Sequence, residues 1–233
     1  MPDQYNESEI VKKIGLAISK LSSLYKEPYI KRKGKTKDTK ELYSEIASKE
    51  LLSIGINKLF SDNIKKILRA NYKVSHTGKT NETSNRDEEK LAIKLKDKKL
   101  EYLGTILEYQ IPLKSKRDDN GVGKIDLVSI NESEHKAFII ELKAKDNKEG
   151  LLKAILEIVT YSYQFKEDKF IKDLSLHYKP IIKSVLLEKG SQAYKEACEL
   201  ESRPNQRELI KSLKVEVFLL ESRDNYTISH RKL

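Results

Sequence analysis

Two apolar, β-branched runs separated by a short polar stretch constrain this chain most. Residues 121–145 read GVGKIDLVSINESEHKAFIIELKAK, and KIDLVSIN (124–131) and KAFIIELKAK (136–145) are both strand-like. Asn131, Glu132, Ser133, Glu134 and His135 between them form a turn cluster. The pattern predicts a hairpin that is apolar on both faces, as expected of strands inside a covered sheet. Ile125, Leu127, Phe138 and Ile140 fall on one face, and Val128 and Ile139 on the other. Three ionisable groups interrupt it: Asp126 in the first run, Glu141 and Lys143 in the second. A turn centred between Ser133 and Glu134 sets Asp126 opposite Glu141. Residues i and i+2 of a strand share a face, so Glu141, Lys143 and Asp126 then stand together.

Like charges directly across a sheet repel, and a buried carboxylate needs a partner or a cation. A divalent ion between Asp126 and Glu141 turns that repulsion into ligation. Carboxylates with a backbone carbonyl, that of Leu142, and waters suit Mg²⁺, with Mn²⁺ as a substitute. Lys143 can then orient an attacking water or offset charge on a phosphate. The competing reading is an edge hairpin whose charges face water. The apolar surroundings and the grouping of the charges on one face weigh against it.

The strand Asp followed by Glu141-Leu142-Lys143 resembles the PD-(D/E)XK nuclease superfamily, the restriction-endonuclease-like fold. Ile125 stands where that family often has proline. The family often carries a glutamate on the helix before the sheet. Here SNRDEEKLAIKLK (84–96) reads as a helix capped by Ser84 or Asn85. Glu88, Leu91, Ala92 and Leu95 share its inner face, with Glu89 nearer solvent. The resemblance therefore implies Glu88 as a further metal or catalytic carboxylate. The reading left open beside it is an acid favoured by the helix dipole. Some members add a tyrosine or glutamine on the next helix. Tyr161, Gln164 and Glu157 are the candidates, unless they simply cover a helix end.

The order of elements agrees with that family's helix–strand–strand–strand–helix–strand core. A first strand is predicted over 101–113, a helix over 151–165, a strand over 181–188, a helical segment over 192–213 broken near Pro204, and a strand over 214–222. Upstream, helices are predicted over 7–25, 41–54 and 57–70, with Gly55 as a break, a basic loop over 29–40 and a polar linker over 73–85. Lys31, Arg32, Lys33, Lys35 and Lys37, and the loop 114–120, are candidate phosphate contacts. The N-terminal part can equally act as a buttress or a dimer contact.

The 233 residues carry a net charge of +10, and 35% are charged, which favours an acidic partner such as nucleic acid. A Lys-rich surface without a ligand is the alternative. The single cysteine, Cys198, reads as a packing residue and excludes an internal disulfide. His76, His135, His177 and His230 lack zinc spacing and read as surface residues. Gly121-Val122-Gly123 precedes a strand and reads as a turn, not a phosphate loop. No long apolar run and no leader-like N-terminus are present, so a cytoplasmic protein without membrane contact is expected.

Together these readings predict an α/β protein. Its restriction-endonuclease-like core (76–233) has a mixed central sheet flanked by helices, and a helical N-terminal extension (1–75) precedes it. The resemblance implies a Mg²⁺-dependent DNA endonuclease of restriction, repair or defence type, with Asp126, Glu141, Lys143 and Glu88 at its site. RNA as substrate and a homodimer remain open. The alternatives are a silent nuclease-fold module that binds DNA or a protein, and a purely structural basic domain.

Overall fold

The computed structural model describes residues 5–75, 87–115 and 122–233. The expected caps Ser84 and Asn85, His76, most of the 73–85 linker and residues 116–120 of the predicted basic loop lie outside the described residues. The chain opens with α1 (Glu7–Ala17), started by a capping box in which the Asn6 N–H donates to Glu9 Oε2 at 2.7 Å. The expected single helix over 7–25 is interrupted. A 3-10 segment (Ile18–Lys26) follows α1 and kinks at Lys20 (φ −131°, ψ 46°). Ser19 and Ser23 hydroxyls donate to the Leu16 and Lys20 carbonyls, bonds that compete with a continuing α ladder.

Next come α2 (Pro28–Lys31), α3 (Tyr43–Ser53) and α4 (Ile56–Asn63), with Gly55 at φ 65° making the predicted break. The helix expected over 57–70 stops at Asn63, whose side-chain amide donates to the Leu59 carbonyl. Ile64 is already extended, the Ile67 N–H goes to the Gln164 carbonyl, and Leu68 is exposed. Tertiary partners take over there from helical periodicity.

After α5 (Asp87–Leu95) come β1 (Lys99–Leu100), β2 (Gly104–Pro112), β3 (Lys124–Asn131) and β4 (Lys136–Lys143), an antiparallel meander. The strand predicted over 101–113 starts only at Gly104, and 101–103 form the turn that joins it to β1. Gly104 (φ 71°) makes that turn possible, since a Cβ there would lie 2.0 Å from the Ile130 carbonyl oxygen. Then α6 (Leu151–Gln164) and α7 (Glu167–Leu174) lead to β5 (Ile181–Glu188). α8 (Gln192–Cys198), a 3-10 turn and α9 (Pro204–Leu213) lead to β6 (Val215–Leu220), and β7 (Ile228–Arg231) ends the chain. β4, β5 and β6 run parallel, which requires the helical crossovers between them, and β7 returns antiparallel.

The result is a mixed α/β fold with a seven-stranded sheet in sequential order, flanked by helices. The sheet curls in a barrel-like manner. Tyr102, before β2, brings its ring to 5.9 Å from that of His230 in β7. α5 packs on one face through Leu91, Ala92 and Leu95 against Leu127, Phe138 and Ile140. The other face is larger. It takes α6 and also the N-terminal helices, so Ile10, Leu24, Leu51 and Phe60 belong to one apolar cluster with Val128, Ile139, Ile155 and Val185. Ile125 also belongs to this cluster, not to the Leu127 face predicted for it.

Candidate functional site

The hairpin folds in the register set by a turn centred between Ser133 and Glu134. Leu127 pairs with Ile140 and Val128 with Ile139, where the paired register ends, and Asp126 follows on the β3 side of Leu142. Both Asp126 oxygens have donors. The Leu142 N–H reaches Oδ2 at 2.9 Å, and Gln110 Nε2 reaches Oδ1 at 2.7 Å. The N–H and C=O of one strand residue leave the same edge, so the Leu142 carbonyl is aimed to the Asp126 side as well.

Sequence reasoning missed Gln110. Its signal lies in the backbone: inside β2, beyond a register shift between Ile106 and Glu108, Gln110 adopts φ 49°. A left-handed non-glycine residue in a strand is strained, and such strain persists where the surroundings over-determine it.

Lys143 is nearly inaccessible (2% exposed) and stands among three carboxylates. Its Nζ lies 2.6 Å from Glu141, 3.1 Å from Glu149 and 3.3 Å from Glu157. Lys153, one turn before Glu157 on α6, pairs with Glu149 at 2.7 Å and with Glu157. Tyr161 donates to Glu157 Oε1 at 2.9 Å, and its hydroxyl lies 3.4 Å from that of Tyr25 in the 3-10 segment. Glu157 and Tyr161 therefore join the site. Gln164 does not: it is buried elsewhere, with its side-chain carbonyl unpartnered. Glu88 reaches the rim from α5, where Asn147 Nδ2 donates to its Oε1 at 2.7 Å. Glu88 and Glu89 are both half-buried, a smaller contrast than the inner and outer positions predicted for them.

The charges show the tension in this arrangement. Burial pushes the Asp126 carboxyl up to about 7, against the nearby charge of Lys143. Burial, then the charges of Asp126 and Glu157, also hold Glu141 well above the usual range. Burial lifts Glu88 as well. Burial would lift Glu157 too, but Lys143 and Lys153 hold it down at about 2. Burial alone would lower Lys143, yet the carboxylates around it, Glu141 foremost, raise it well above its ordinary value. Burial and crowding of carboxylates thus favour the protonated form of Asp126 and Glu141, while the two lysines favour the charged form of Glu157.

Among the described residues no group of three or more His, Cys, Asp or Glu is gathered as a metal cage, and Lys143 lies within 3.3 Å of both Glu141 and Glu157. The donor chemistry nonetheless fits a hard divalent ion. Asp126 and Glu141 are oxygen donors on adjacent strands, and their raised proton affinity is what a cation would replace.

Of the predicted basic run, Lys31 reaches the pocket through Glu149 at 3.3 Å, and Arg32, Lys33, Lys35 and Lys37 are exposed. His230 is half-buried, stacked 4.6 Å from Phe218, so it is not the surface residue expected. Cys198, expected to pack, is exposed. No helix among the described residues is long and apolar enough to cross a membrane. No family model matches the chain, and no curated protein or solved structure matches it.

Proposed function

We propose that this chain is a metal-dependent endonuclease of the PD-(D/E)XK kind, acting on the phosphodiester bonds of DNA. One observation carries the reading: Asp126, Glu141 and Lys143, which form that family's strand signature, stand together, with Glu141 and Lys143 buried and paired at 2.6 Å and half-buried Asp126 bound to the Leu142 N–H between them. The element order from α5 through β6 supports a restriction-endonuclease-like core. Asp126, Glu141 and the Leu142 carbonyl would hold Mg²⁺ or Mn²⁺, with Glu88 at the rim. When bound, such an ion polarises a phosphate and lowers the pKa of a bound water.

The chain's own groups do the rest. Gln110 and the Leu142 N–H fix the Asp126 carboxylate. Lys143 donates hydrogen bonds to the phosphate as negative charge develops on it. Glu157 and Tyr161 hold Lys143 in place. The net charge of +10 supports a polyanionic substrate, RNA included. Paired cuts in a duplex would call for a homodimer.

A second reading has an observation of its own. Lys143 is already saturated by Glu141, Glu149 and Glu157, as in a silent module that uses the fold only to bind DNA or a protein.

Cleavage of supercoiled plasmid with Mg²⁺, Mn²⁺ or EDTA separates the two. The nuclease reading expects metal-dependent nicking that is abolished in Asp126→Ala and Glu141→Ala and slowed about a hundredfold or more in Lys143→Ala. Variants that cut like the parent would overturn the site, and a wild type inert on plasmid, branched DNA and RNA would favour the silent module.

A further inference from the structure

Three ammonium groups from three different elements converge on one carboxylate. Glu149 Oε2 faces Lys153 of α6 at 2.7 Å and Lys143 of β4 at 3.1 Å, and its Oε1 faces Lys31 of α2 at 3.3 Å. Lys143 also meets Glu141 and Glu157, and Lys153 also meets Glu157. Glu149 stands on the stretch between β4 and α6 that forms neither helix nor strand.

The helix terminus beside it is not what attracts this charge. The Gly150 N–H donates to the Lys31 carbonyl and the Leu151 N–H to Glu196, so both are engaged by other groups. The lysines are therefore the binding element. Lys31 and Lys153 border an open cleft of about 520 Å³ whose walls also include Tyr25, Val122, Glu149 and Tyr161. One side of the cleft belongs to the N-terminal helices and the other to α6, and Glu157 at its base leads to Lys143.

We propose that Glu149 occupies the seat of a substrate phosphate in the free protein. An incoming phosphodiester displaces this carboxylate and takes over Lys31, Lys143 and Lys153. Ammonium-to-oxygen distances of 2.7–3.3 Å are those a phosphate oxygen also makes with lysine. No covalent step is involved: one anion replaces another, and a change of the Glu149 rotamer is enough. That the anion is a nucleic-acid phosphate rests on the nuclease reading, whereas the anion seat itself does not. The arrangement gives the N-terminal layer a part in the site through Lys31, and it explains how a buried Lys143 stays charged before substrate arrives.

The test is calorimetric titration of the full-length chain with inorganic phosphate in metal-free buffer. Glu149→Gln keeps the side chain's size and removes its charge, so it should bind phosphate about tenfold more tightly than wild type. Adding Lys31→Gln to it should return the affinity toward that of wild type. If Glu149→Gln does not fold, Glu149→Asp, which draws the charge back from the lysines, should show a smaller gain. No gain in either variant, or a gain that Lys31→Gln leaves intact, overturns the proposal. Tighter phosphate binding beside an absence of cleavage leaves the anion seat standing and removes the nuclease. Metal-dependent cleavage without a phosphate gain does the reverse.

Discussion

Asp126 keeps its proton up to about pH 7 because burial disfavours its charge. An unfolded aspartate releases its proton near about pH 3.9. Between those values the folded state binds more protons than the unfolded one, so stability falls as pH rises through the window and does not recover above it. Glu141, also raised by burial, acts with the same sign. Asp126→Asn should therefore melt higher than wild type at pH 8 in EDTA, and the gap should close toward pH 4. Thermal denaturation at the two pH values reads this directly, and a gap that widens toward pH 4 would refute the burial argument. Gln110 supplies a second test. Gln110→Gly relieves the positive φ but removes the amide that holds Asp126, so stability should hold while Mn²⁺ affinity, measured by electron paramagnetic resonance, falls about tenfold. At this scale the sequence announced Asp126, Glu141 and Lys143 because charges in apolar runs are conspicuous. Gln110 and Glu149 were not legible, since an amide in a strand and an acid in a polar loop look ordinary until the backbone brings them to the pocket.

Elements were legible where local pattern and tertiary partner agree. β3, β5 and the β3–β4 register follow from alternation and from the polar turn. The readings failed where other bonds prevailed: the Ile67 N–H goes to Gln164 beyond the end of α4, and the helix expected over 7–25 gives way where Ser19 and Ser23 bond to backbone carbonyls. The short α7 and β7 carry too little periodicity to be seen in advance, and each is held by contacts distant in sequence. Ile181 N–H donates to Glu167 of α7, and His230 of β7 stacks on Phe218. α9 shows such a contact at its start. Glu45 on α3, only 6% exposed, accepts from the Asn205 and Gln206 N–H groups at 3.1 and 2.8 Å. It serves as the cap that Arg203, at the cap position, does not provide. Glu45→Ala should lower stability by about 1–2 kcal/mol in urea denaturation, and Glu45→Gln, which keeps an acceptor oxygen, should recover much of the loss. Equal losses in the two variants would assign the effect to charge, not to capping.

At the scale of the molecule, the N-terminal third belongs physically to the sheet it covers. Leu51 of α3 and Leu156 of α6 are both fully buried in the same apolar cluster. α3 is further tied to α9 through Glu45, and the 3-10 segment meets α6 through the Tyr25–Tyr161 hydroxyl pair. The helical extension over 1–75 and the part over 76–233 thus share one apolar cluster. One core implies one cooperative transition. Leu51→Ala and Leu156→Ala should each cost about 2–5 kcal/mol, the usual range for a buried leucine, and both should shift the same single transition. Far-ultraviolet circular dichroism and tyrosine fluorescence, the latter available from twelve tyrosines and no tryptophan, should give coincident denaturation curves in both variants. A separate early transition in Leu51→Ala would show instead that the helical layer unfolds alone. Lys31 and Tyr25 would then leave the site while the sheet stayed folded, and phosphate binding by Glu149→Gln should disappear at that first step.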